Sequence, residues 1–460
     1  MKMELERQMM RAIDDGADYL DIRYEKEQST VIEIRDDVLR EAKVGFELGA
    51  GIRVLLDGSW GFYATSDPSR LEDGITKALK LAKAHKADKN IKLAPSDSTN
   101  EEFKLKVREP PEDVGIDRKI SLVREAYKKL VDVDERIKSA SVYYTDSIIE
   151  KLFLNSEGSE IRLHLPYISI GFRAVASEGG ELQEAHDRVG AFTGFELIKE
   201  NDPGEIAASV SRRALRLLDA KNPPSGKFPV VMNGKLLGVF AHEALGHAAE
   251  ADLVVSGESI LADKIGSRIA SEIITIADDP SIPQTHGYYP FDDEGVRSRR
   301  TLIIENGTLR SYLHTRSSAG ELGMEVTANA RAEDNSHIPI ARMSNIIIER
   351  GDQSFDEIIE DIKMGIYAKG MRGGQVDTVG GNFQFTAEEA FMIENGEVKG
   401  SIRNLSLAGR TLEVLEKIDA LGKDVTGSIG FCGKNGQTVP VSESGPDARI
   451  SEILVGGNDA

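Results

Sequence analysis

Residues 228–247 read FPVVMNGKLLGVFAHEALGH, and this stretch decides how the second half of the chain is organised. The apolar run 228–232 is typical of a buried strand. Asn233 is a favourable first residue for a helix, because its side chain can accept a hydrogen bond from a free backbone N–H group. The sequence therefore predicts a strand followed directly by a helix that carries His242 and His247.

The segment from His242 to His247 contains the residue types of a metal hydrolase. Such a site needs neutral imidazole ligands, an open coordination position and a carboxylate that accepts a proton from water. The two histidines are five residues apart, however, and an ideal α-helix separates such positions by about 140°. We therefore expect distortion between Ala244 and His247, either a π-turn or a break of the helix beside Gly246, where glycine tolerates unusual dihedral angles.

Glu243 and Cys432 are the other candidate residues of this site. Glu243 follows the first histidine directly, so it should not face the ion and instead fits the role of general base. Cys432 is the single cysteine of the chain, which excludes an intramolecular disulfide. It lies in the segment 428–437, SIGFCGKNGQ, where we expect a close loop in which Lys434 favours the thiolate. Two imidazoles and one thiolate would leave a fourth coordination position open.

The residues also fit a site without a metal. Two histidines and a glutamate in an alanine-rich helix can form a hydrogen-bonded structural group, and a single cysteine beside phenylalanine is often a core residue. Residue types and spacing leave both interpretations open.

The length of 460 residues exceeds what one hydrophobic core usually supports, so we expect two domains. The segment 221–227, KNPPSGK, is the best boundary, because two prolines end the preceding helix and Ser-Gly lets the chain change direction. We place an N-terminal domain at residues 1–222 and a C-terminal domain at residues 223–460.

The fold class that the patterns predict is α+β. In the first half, strands with two-residue periodicity and a hairpin at Asp57-Gly58 precede amphipathic helices, which should cover one face of a sheet. Helices are predicted at about 69–86, 117–131 and 204–218. In the second half, strand-like segments recur, and Asn-Gly pairs at residues 306–307 and 395–396 indicate two hairpins. The C-terminal domain should therefore be rich in β-structure and carry the metal-binding helix.

The charge balance argues against two classes of partner. The chain has 57 basic and 77 acidic side chains, a formal charge of −20, which repels both a phosphate backbone and an anionic membrane surface. No run of eighteen apolar residues occurs, and the first residues lack the apolar core of a signal peptide. We expect a cytoplasmic protein that does not contact nucleic acid directly.

Several motifs follow one another in a fixed order along the second half of the chain. They are HEALGH followed by Glu250 and Asp252, then DDEG at 292–295, IENG at 304–307, GGQVD at 373–377, EAFMIENG at 389–396 and CGKNGQ at 432–437. Together they resemble the TldD branch of the TldD/PmbA metallopeptidase family, and the similarity continues more weakly into the first half.

This resemblance implies a site and a chemistry. It implies one zinc ion per catalytic subunit, with His242, His247 and Cys432 as ligands and Glu243 as the catalytic residue. It also implies unfolded or flexible peptide substrates, such as leader peptides or a labile antitoxin, which would bind in extended form by adding a strand to a sheet edge.

The resemblance also bears on partners. The family contains a paralogous branch, TldE or PmbA, that lacks the histidine motif and pairs with TldD as a non-catalytic subunit. Because this chain retains the motif, it resembles the catalytic partner. We expect a heterodimer with such a paralogous subunit or a homodimer.

Other polar residues of the second half have two interpretations each. Glu250 and Asp252 fit either acceptors that orient the imidazoles or the solvated end of the helix. Arg331 fits either an anchor for a substrate carboxylate or carbonyl, or a structural ion pair. Three further histidines have no ligand spacing to one another: His286, His314 and His337.

Two other functions stay open on the sequence. One is a non-catalytic module that captures extended peptides, with the metal bracing the fold, and the other is a zinc amidohydrolase acting on small molecules. A structural zinc would be closed by four protein ligands, whereas a catalytic zinc keeps an open position. Glu243, which a structural site does not need, favours catalysis.

Overall fold

The structure, a computed structural model, describes residues 2–84 and 91–457. The strands of the first half are β1 (Tyr19–Arg35), β2 (Val38–Leu56), β3 (Ser59–Thr65), β4 (Asn100–Lys104), β5 (Ile137–Asn155), β6 (Glu160–Glu178) and β7 (Glu181–Ala191). Its helices are α1 (Lys2–Asp14), α2 (Leu71–Ala84), α3 (Ile116–Val131), α4 (Glu196–Asn201) and α5 (Pro203–Leu218), with short 3₁₀ turns at Pro68–Arg70 and Pro111–Asp113.

One sheet organises the first half. Its strand order is β3-β2-β1-β5-β6-β4, and β7 pairs with the second part of β6. The pairs are antiparallel except β4 with β6. The even-numbered residues of β1 share one face, and this face is buried under α1 and α2 at one end and under α3 and α5 at the other. The expectation that helices cover one face of the sheet is confirmed.

The predicted local elements of this half are confirmed with small shifts of their ends. The predicted hairpin joins β2 to β3, with Asp57 and Gly58 both at positive φ, as a tight two-residue turn requires. The three predicted helices correspond to α2, α3 and α5. Residues 85 and 86 of the first predicted helix lie outside the described residues.

The second half is richer in strands. They are β8 (Gly226–Met232), β9 (Ile276–Asp278), β10 (Thr301–Glu305), β11 (Thr308–Leu309), β12 (Ala330–Arg331), β13 (Ile340–Ala341), β14 (Asn345–Ile348), β15 (Met364–Val376), β16 (Asn382–Glu394), β17 (Glu397–Ile402), β18 (Leu405–Arg410), β19 (Ile418–Lys434) and β20 (Gln437–Gly457). Its helices are α6 (Gly234–Phe240), α7 (His247–Ala249), α8 (Ala251–Ser256), α9 (Arg316–Leu322), α10 (Phe355–Ile359) and α11 (Thr411–Glu416).

A second sheet runs in the order β11-β10-β9-β14-β20-β18-β16-β15-β8. β8 also pairs with β20, so β20, β18, β16, β15 and β8 close into a ring. β17 pairs with β16, and β19 pairs with β20. Both predicted Asn-Gly hairpins are present, as the turns of β10 with β11 and of β16 with β17. The protein is α+β with a β-rich C-terminal part, as the sequence predicts.

The two halves share a buried interface formed by the DDEG motif. Glu294 lies 3.1 Å from Arg53 of β2, whose guanidinium also binds Asp21 of β1. Asp293 lies 3.0 Å from Lys151 of β5. These contacts hold the C-terminal part against the first sheet. The predicted domain boundary falls in the connection between α5 and β8.

Across the described ranges, none of the helices combines the length and the apolar composition that crossing a bilayer requires.

Candidate metal centre

The histidine motif lies on a helix that changes its pitch. Asn233 caps α6, because its Oδ1 accepts a hydrogen bond from the N–H of Leu236 at 3.0 Å. After α6 the chain forms a π-turn, Ala241–Gly246, and then continues into α7. A π-helix aligns residues i and i+5, so His242 and His247 meet on one side with ring centroids 5.2 Å apart. The predicted distortion of the helix is confirmed.

Position 246 needs a glycine for a reason other than the one that the sequence suggests. Its φ of −59° and ψ of −47° are those of an ordinary α-helix. A Cβ atom on Gly246 would lie 2.0 Å from Sδ of Met343. The glycine is therefore required by the close approach of a buried side chain, not by unusual dihedral angles.

Cys432 approaches the histidines from strand β19. The expectation of a close loop is wrong, because Cys432 pairs with Val439 of β20 and the chain turns only at Asn435-Gly436. The Sγ atom lies 3.5 Å from Nε2 of His247. One ligand atom from each of His242, His247 and Cys432 can be chosen so that all three lie within 4.8 Å of one another.

This donor set fits zinc. Tetrahedral zinc with ordinary Zn–S and Zn–N bonds places its ligand atoms about 3.3–3.6 Å apart. The Sγ to Nε2 distance of 3.5 Å agrees with that spacing. Imidazole and thiolate are ligands that zinc prefers, and three protein ligands leave a fourth position open.

Buried carboxylates lie close to the outer nitrogen atoms of both imidazoles, with a hydrogen bond at His247 and an ion-pair contact without hydrogen-bond geometry at His242. Nδ1 of His247 lies 3.0 Å from Oε2 of Glu250, which is fully buried. Nδ1 of His242 lies 3.2 Å from Oε1 of Glu443 on β20. The hydrogen bond from Glu250 leaves Nε2 of His247 for the shared centre, an arrangement common around metal-binding histidines.

Sequence reasoning did not identify Glu443. A signal was present in the Asn435-Gly436 turn, because counting outwards from it pairs Lys434 with Gln437 and Cys432 with Val439. Glu443 is four residues beyond Val439, and side chains an even number of residues apart share one face of a strand. Recognising this hairpin would have placed Glu443 opposite Ser428, on the same face of the hairpin as Cys432.

The protonation states of the cluster are coupled. Burial raises the pKa of the Cys432 thiol, but hydrogen bonds and charge from His242 and His247 outweigh burial and lower the pKa to about 5. Burial lowers the pKa of His247, but Glu250 and Cys432 outweigh it and raise the pKa to about 9. The cluster without a metal thus pairs a thiolate with imidazolium, and a bound cation would displace those protons.

Lys434 and Asp252 form a contact of their own. The expectation that Lys434 favours the thiolate is wrong, because its Nζ lies 2.7 Å from Asp252 and 3.0 Å from Glu250 and donates to the carbonyl of Ala341. The histidines lower the pKa of Cys432 instead. Of the two acidic residues considered as imidazole acceptors, Glu250 contacts the imidazole of His247, whereas Asp252 contacts the ammonium group of Lys434.

Glu243 is the carboxylate of the motif that reaches solvent. Its side chain is 35% exposed, and Oε2 lies 3.9 Å from Nε2 of His247. It lines, together with His242, a cleft of about 200 Å³. Unlike Glu250 and Glu443, it is free to contact a molecule that enters from outside.

Arg331 is not brought into this cluster. It is buried, donates to the carbonyls of Met343 at 2.6 Å and Pro440 at 2.8 Å, and stacks on Tyr289. Its guanidinium therefore bonds backbone oxygen atoms of the protein rather than the carboxylate that an ion pair requires.

The three other histidines of the second half lie apart from the cluster. Burial lowers the pKa of His286 and of His314 to about 4, and His337 lies 2.8 Å from Asp334.

Sequence models of one metallopeptidase family match most of the chain. Those described as PmbA/TldA metallopeptidase domain 1, central domain and C-terminal domain match residues 20–85, 109–218 and 225–457. The chain belongs to the TldD/PmbA metallopeptidase family. The family models thus divide this TldD/PmbA protein into three segments, two of which lie in its first half.

Relatives of this TldD/PmbA protein match over nearly their full length. A metalloprotease of Methanothermobacter thermautotrophicus is 44% identical, covering 97% of each chain. A zinc metalloprotease TldD homolog of Saccharolobus solfataricus is 32% identical, covering 97% of this chain and 98% of the relative. Among solved structures, TldE from Thermococcus kodakarensis shares the fold with a TM-score of 0.80 at 22% identity, covering 98% of this chain and all of that one.

Proposed function

We propose that this chain is the catalytic subunit of a zinc-dependent peptidase that hydrolyses unfolded or flexible peptides. The observation that carries the proposal is the position of Glu243. Its carboxylate lies beside a cluster of two imidazoles and a thiol that fits zinc, and it faces an open cleft. A metal that only braced the fold would not need an acidic side chain between itself and solvent.

Each residue of the cluster has a distinct role in this proposal. His242, His247 and Cys432 would hold one zinc ion per catalytic subunit, which would act as a Lewis acid that polarises a carbonyl and lowers the pKa of water. Glu243 takes the proton of the attacking water and delivers it to the leaving amine. Glu250 fixes the ring of His247, so that Nε2 stays directed at the centre.

The walls of the cleft support an extended peptide as the substrate. One wall includes residues 186–188 of β7 and the other residues 428–431 of β19. Among the described residues, β7 pairs with β6 and the wall segment 428–431 of β19 pairs with β20, so one edge of each strand faces the cleft. The carbonyl of His186 on the edge of β7 already accepts a hydrogen bond from Arg213. A second cavity of about 490 Å³ shares both walls and lengthens the path along which a peptide could lie. A peptide that adds a strand here would bind mainly through its backbone, which tolerates varied sequences.

The proposed partner is a paralogous TldE/PmbA-like subunit without the histidine motif, or a second copy of this chain. The shared fold of the Thermococcus kodakarensis TldE supports a paralogue as partner, because two subunits of one fold can pair about a pseudo-twofold axis.

Cleavage of an unstructured peptide library tests the activity. The purified zinc-loaded protein is assayed alone and with its paralogue, as wild type, as Glu243→Gln and as the control Glu258→Gln, which changes an exposed glutamate outside the cleft. We expect Glu243→Gln to lower kcat by about 10²–10⁴-fold at unchanged zinc content. The control should cleave like wild type.

Two results would contradict the proposal. If Glu243→Gln cleaves as fast as wild type at equal zinc content, Glu243 is not the base. If zinc-loaded wild type binds peptides but cleaves none in either preparation, the chain is a capture module.

A further inference from the structure

Arg188 is a cation of the cleft that lacks an acidic partner. It is exposed on the edge strand β7 and lines both cavities along the path. Among the residues that the structure describes, no carboxylate lies within 4.0 Å of its guanidinium, which donates no hydrogen bond either. Neighbouring cations differ, because Lys235 lies 3.4 Å from Asp187 and Arg213 lies 3.1 Å from Glu388.

The guanidinium of Arg188 is nevertheless held in place. Its central carbon lies 5.2 Å from the ring centroid of Phe431, the residue that precedes Cys432. On the neighbouring strand, Gly171 is the register partner of Arg188, and a Cβ atom there would lie 3.3 Å from Nε of Arg188. The arginine thus lies over a glycine and against an aromatic ring, contacts that orient the planar group without neutralising it.

An oriented guanidinium without a carboxylate suits a carboxylate brought by a ligand. Its parallel N–H groups can bind both oxygen atoms of such a group. The net charge of −20 does not prevent this, because salt screens exposed charges beyond about 8 Å at physiological ionic strength. The contact would also give a preference that backbone pairing alone does not provide.

We propose that Arg188 binds a carboxylate of the peptide substrate, either an acidic side chain or the C-terminal carboxylate. The inference rests on the proposed function, since it assigns a specificity residue to the same cleft. Arg188 selects the peptide and takes no part in bond cleavage.

Peptide binding tests the proposal without requiring turnover. The zinc-loaded Glu243→Gln protein is titrated with fluorescein-labelled unstructured peptides, in which Glu replaces Gln at one position at a time and the C-terminus is either free or amidated. We expect one acidic form to bind about tenfold more tightly than its neutral counterpart, as one charge-assisted contact permits. Added Arg188→Gln should abolish this difference and leave the affinity for neutral peptides unchanged.

Three further variants sharpen the comparison. Arg188→Glu should reverse the preference, so that a lysine-containing peptide binds better than its glutamate counterpart. Arg188→Lys keeps the charge without the planar group and should retain part of the preference. The matched control is Arg297→Gln, because Arg297 also lies over a phenylalanine ring, at 4.5 Å, but pairs with Glu101 and lies outside the cleft.

The outcomes separate this inference from the peptidase proposal. A preference that depends on a side-chain position identifies an acidic residue as the source, and one lost on amidation identifies the C-terminus. Equal binding of acidic and neutral peptides, a preference that survives Arg188→Gln, or no peptide binding would overturn the role of Arg188. If the preference for an acidic peptide depends on Arg188 but the wild-type protein cleaves no peptide, the role of Arg188 is upheld and the peptidase proposal is overturned.

Discussion

Oε2 of Glu250 lies 3.0 Å from Nδ1 of His247, and the same oxygen lies 3.0 Å from Nζ of Lys434. Burial raises the pKa of Glu250, but the charges of these two partners outweigh it and hold the pKa below its usual value. A carboxylate in this position keeps the proton of the imidazole on Nδ1 and leaves the lone pair of Nε2 for a metal.

Glu250→Gln should weaken zinc binding while keeping the shape of the side chain. Loss of such an acceptor typically costs about 10–100-fold in metal affinity. Competition with a chromophoric chelator measures the change, and Asp252→Asn is the control, because Asp252 contacts Lys434 rather than an imidazole. Equal zinc affinity of wild type and Glu250→Gln would show that Glu250 does not support the ligand.

Arg342→Lys should disturb the third ligand. Arg342 is fully buried and donates to the carbonyl of Cys432 and, at 3.4 Å, to that of Gln437, so it ties the β19–β20 hairpin in place. Hydrogen bonds from a charged group contribute about 1.5–3 kcal/mol, and lysine cannot make the same pair of bonds. We expect a lower free energy of unfolding and an altered thiolate-to-cobalt absorption band in the cobalt-substituted protein.

The control for Arg342 is another buried arginine. Arg331 also bonds backbone carbonyls, but those of Met343 and Pro440. Arg331→Lys should lower stability without changing the cobalt spectrum, and a similar spectral change in both variants would argue against a specific role of Arg342.

Much of the fold could be predicted because its signals are local. Periodicity located α2, α3 and α5, and the Asn-Gly and Asp-Gly pairs located three hairpins. The closure of the ring could not be predicted, since Met232 of β8 pairs with Ala448 of β20, a partner more than two hundred residues away. No period or turn signal reports such a pairing.

In the site, too, local features could be predicted from the sequence and contacts between distant residues could not. A spacing of five residues between His242 and His247 required an irregular helix, and the π-turn provides it. The glycines around Cys432 suggest a loop, whereas pairing with β20 makes this residue part of a strand. Proximity in sequence suggests the thiol as the partner of Lys434, but the ammonium group of Lys434 reaches carboxylates from another part of the chain.

Gly246→Ala should be destabilising despite the helical dihedral angles of this position. The new Cβ atom would lie 2.0 Å from Sδ of Met343, which is fully buried. Overpacking of this kind costs about 1–3 kcal/mol, and Met343→Ala should recover part of that cost in the double variant. Chemical denaturation measures both, with Gly115→Ala as the control, because a Cβ atom on Gly115 meets nothing within 4 Å. Additive effects of the two substitutions would contradict the contact.

The buried His314 should make stability depend on pH. Burial lowers its pKa to about 4, and among the described residues its Nε2 has no hydrogen-bond partner. The unfolded chain binds a proton below about pH 6.5, whereas folded His314 stays neutral until about pH 4. Its contribution to stability is therefore present at pH 7 and is lost as the pH falls from about 6.5 through 4. By linkage, the loss between pH 7 and pH 5 is about 2 kcal/mol.

Denaturation of wild type and His314→Gln at pH 7 and pH 5 measures this contribution. The stability difference between the two proteins should change by about 2 kcal/mol in favour of the variant at pH 5. Asp278, whose pKa burial raises to about 6, acts in the opposite direction, but it is present in both proteins and cancels. The control is Tyr312→Phe, a neighbouring change whose ring does not titrate in this range, so its difference from wild type should be the same at both pH values. A pH-independent difference for His314→Gln would show that the buried imidazole is not the group that titrates on unfolding.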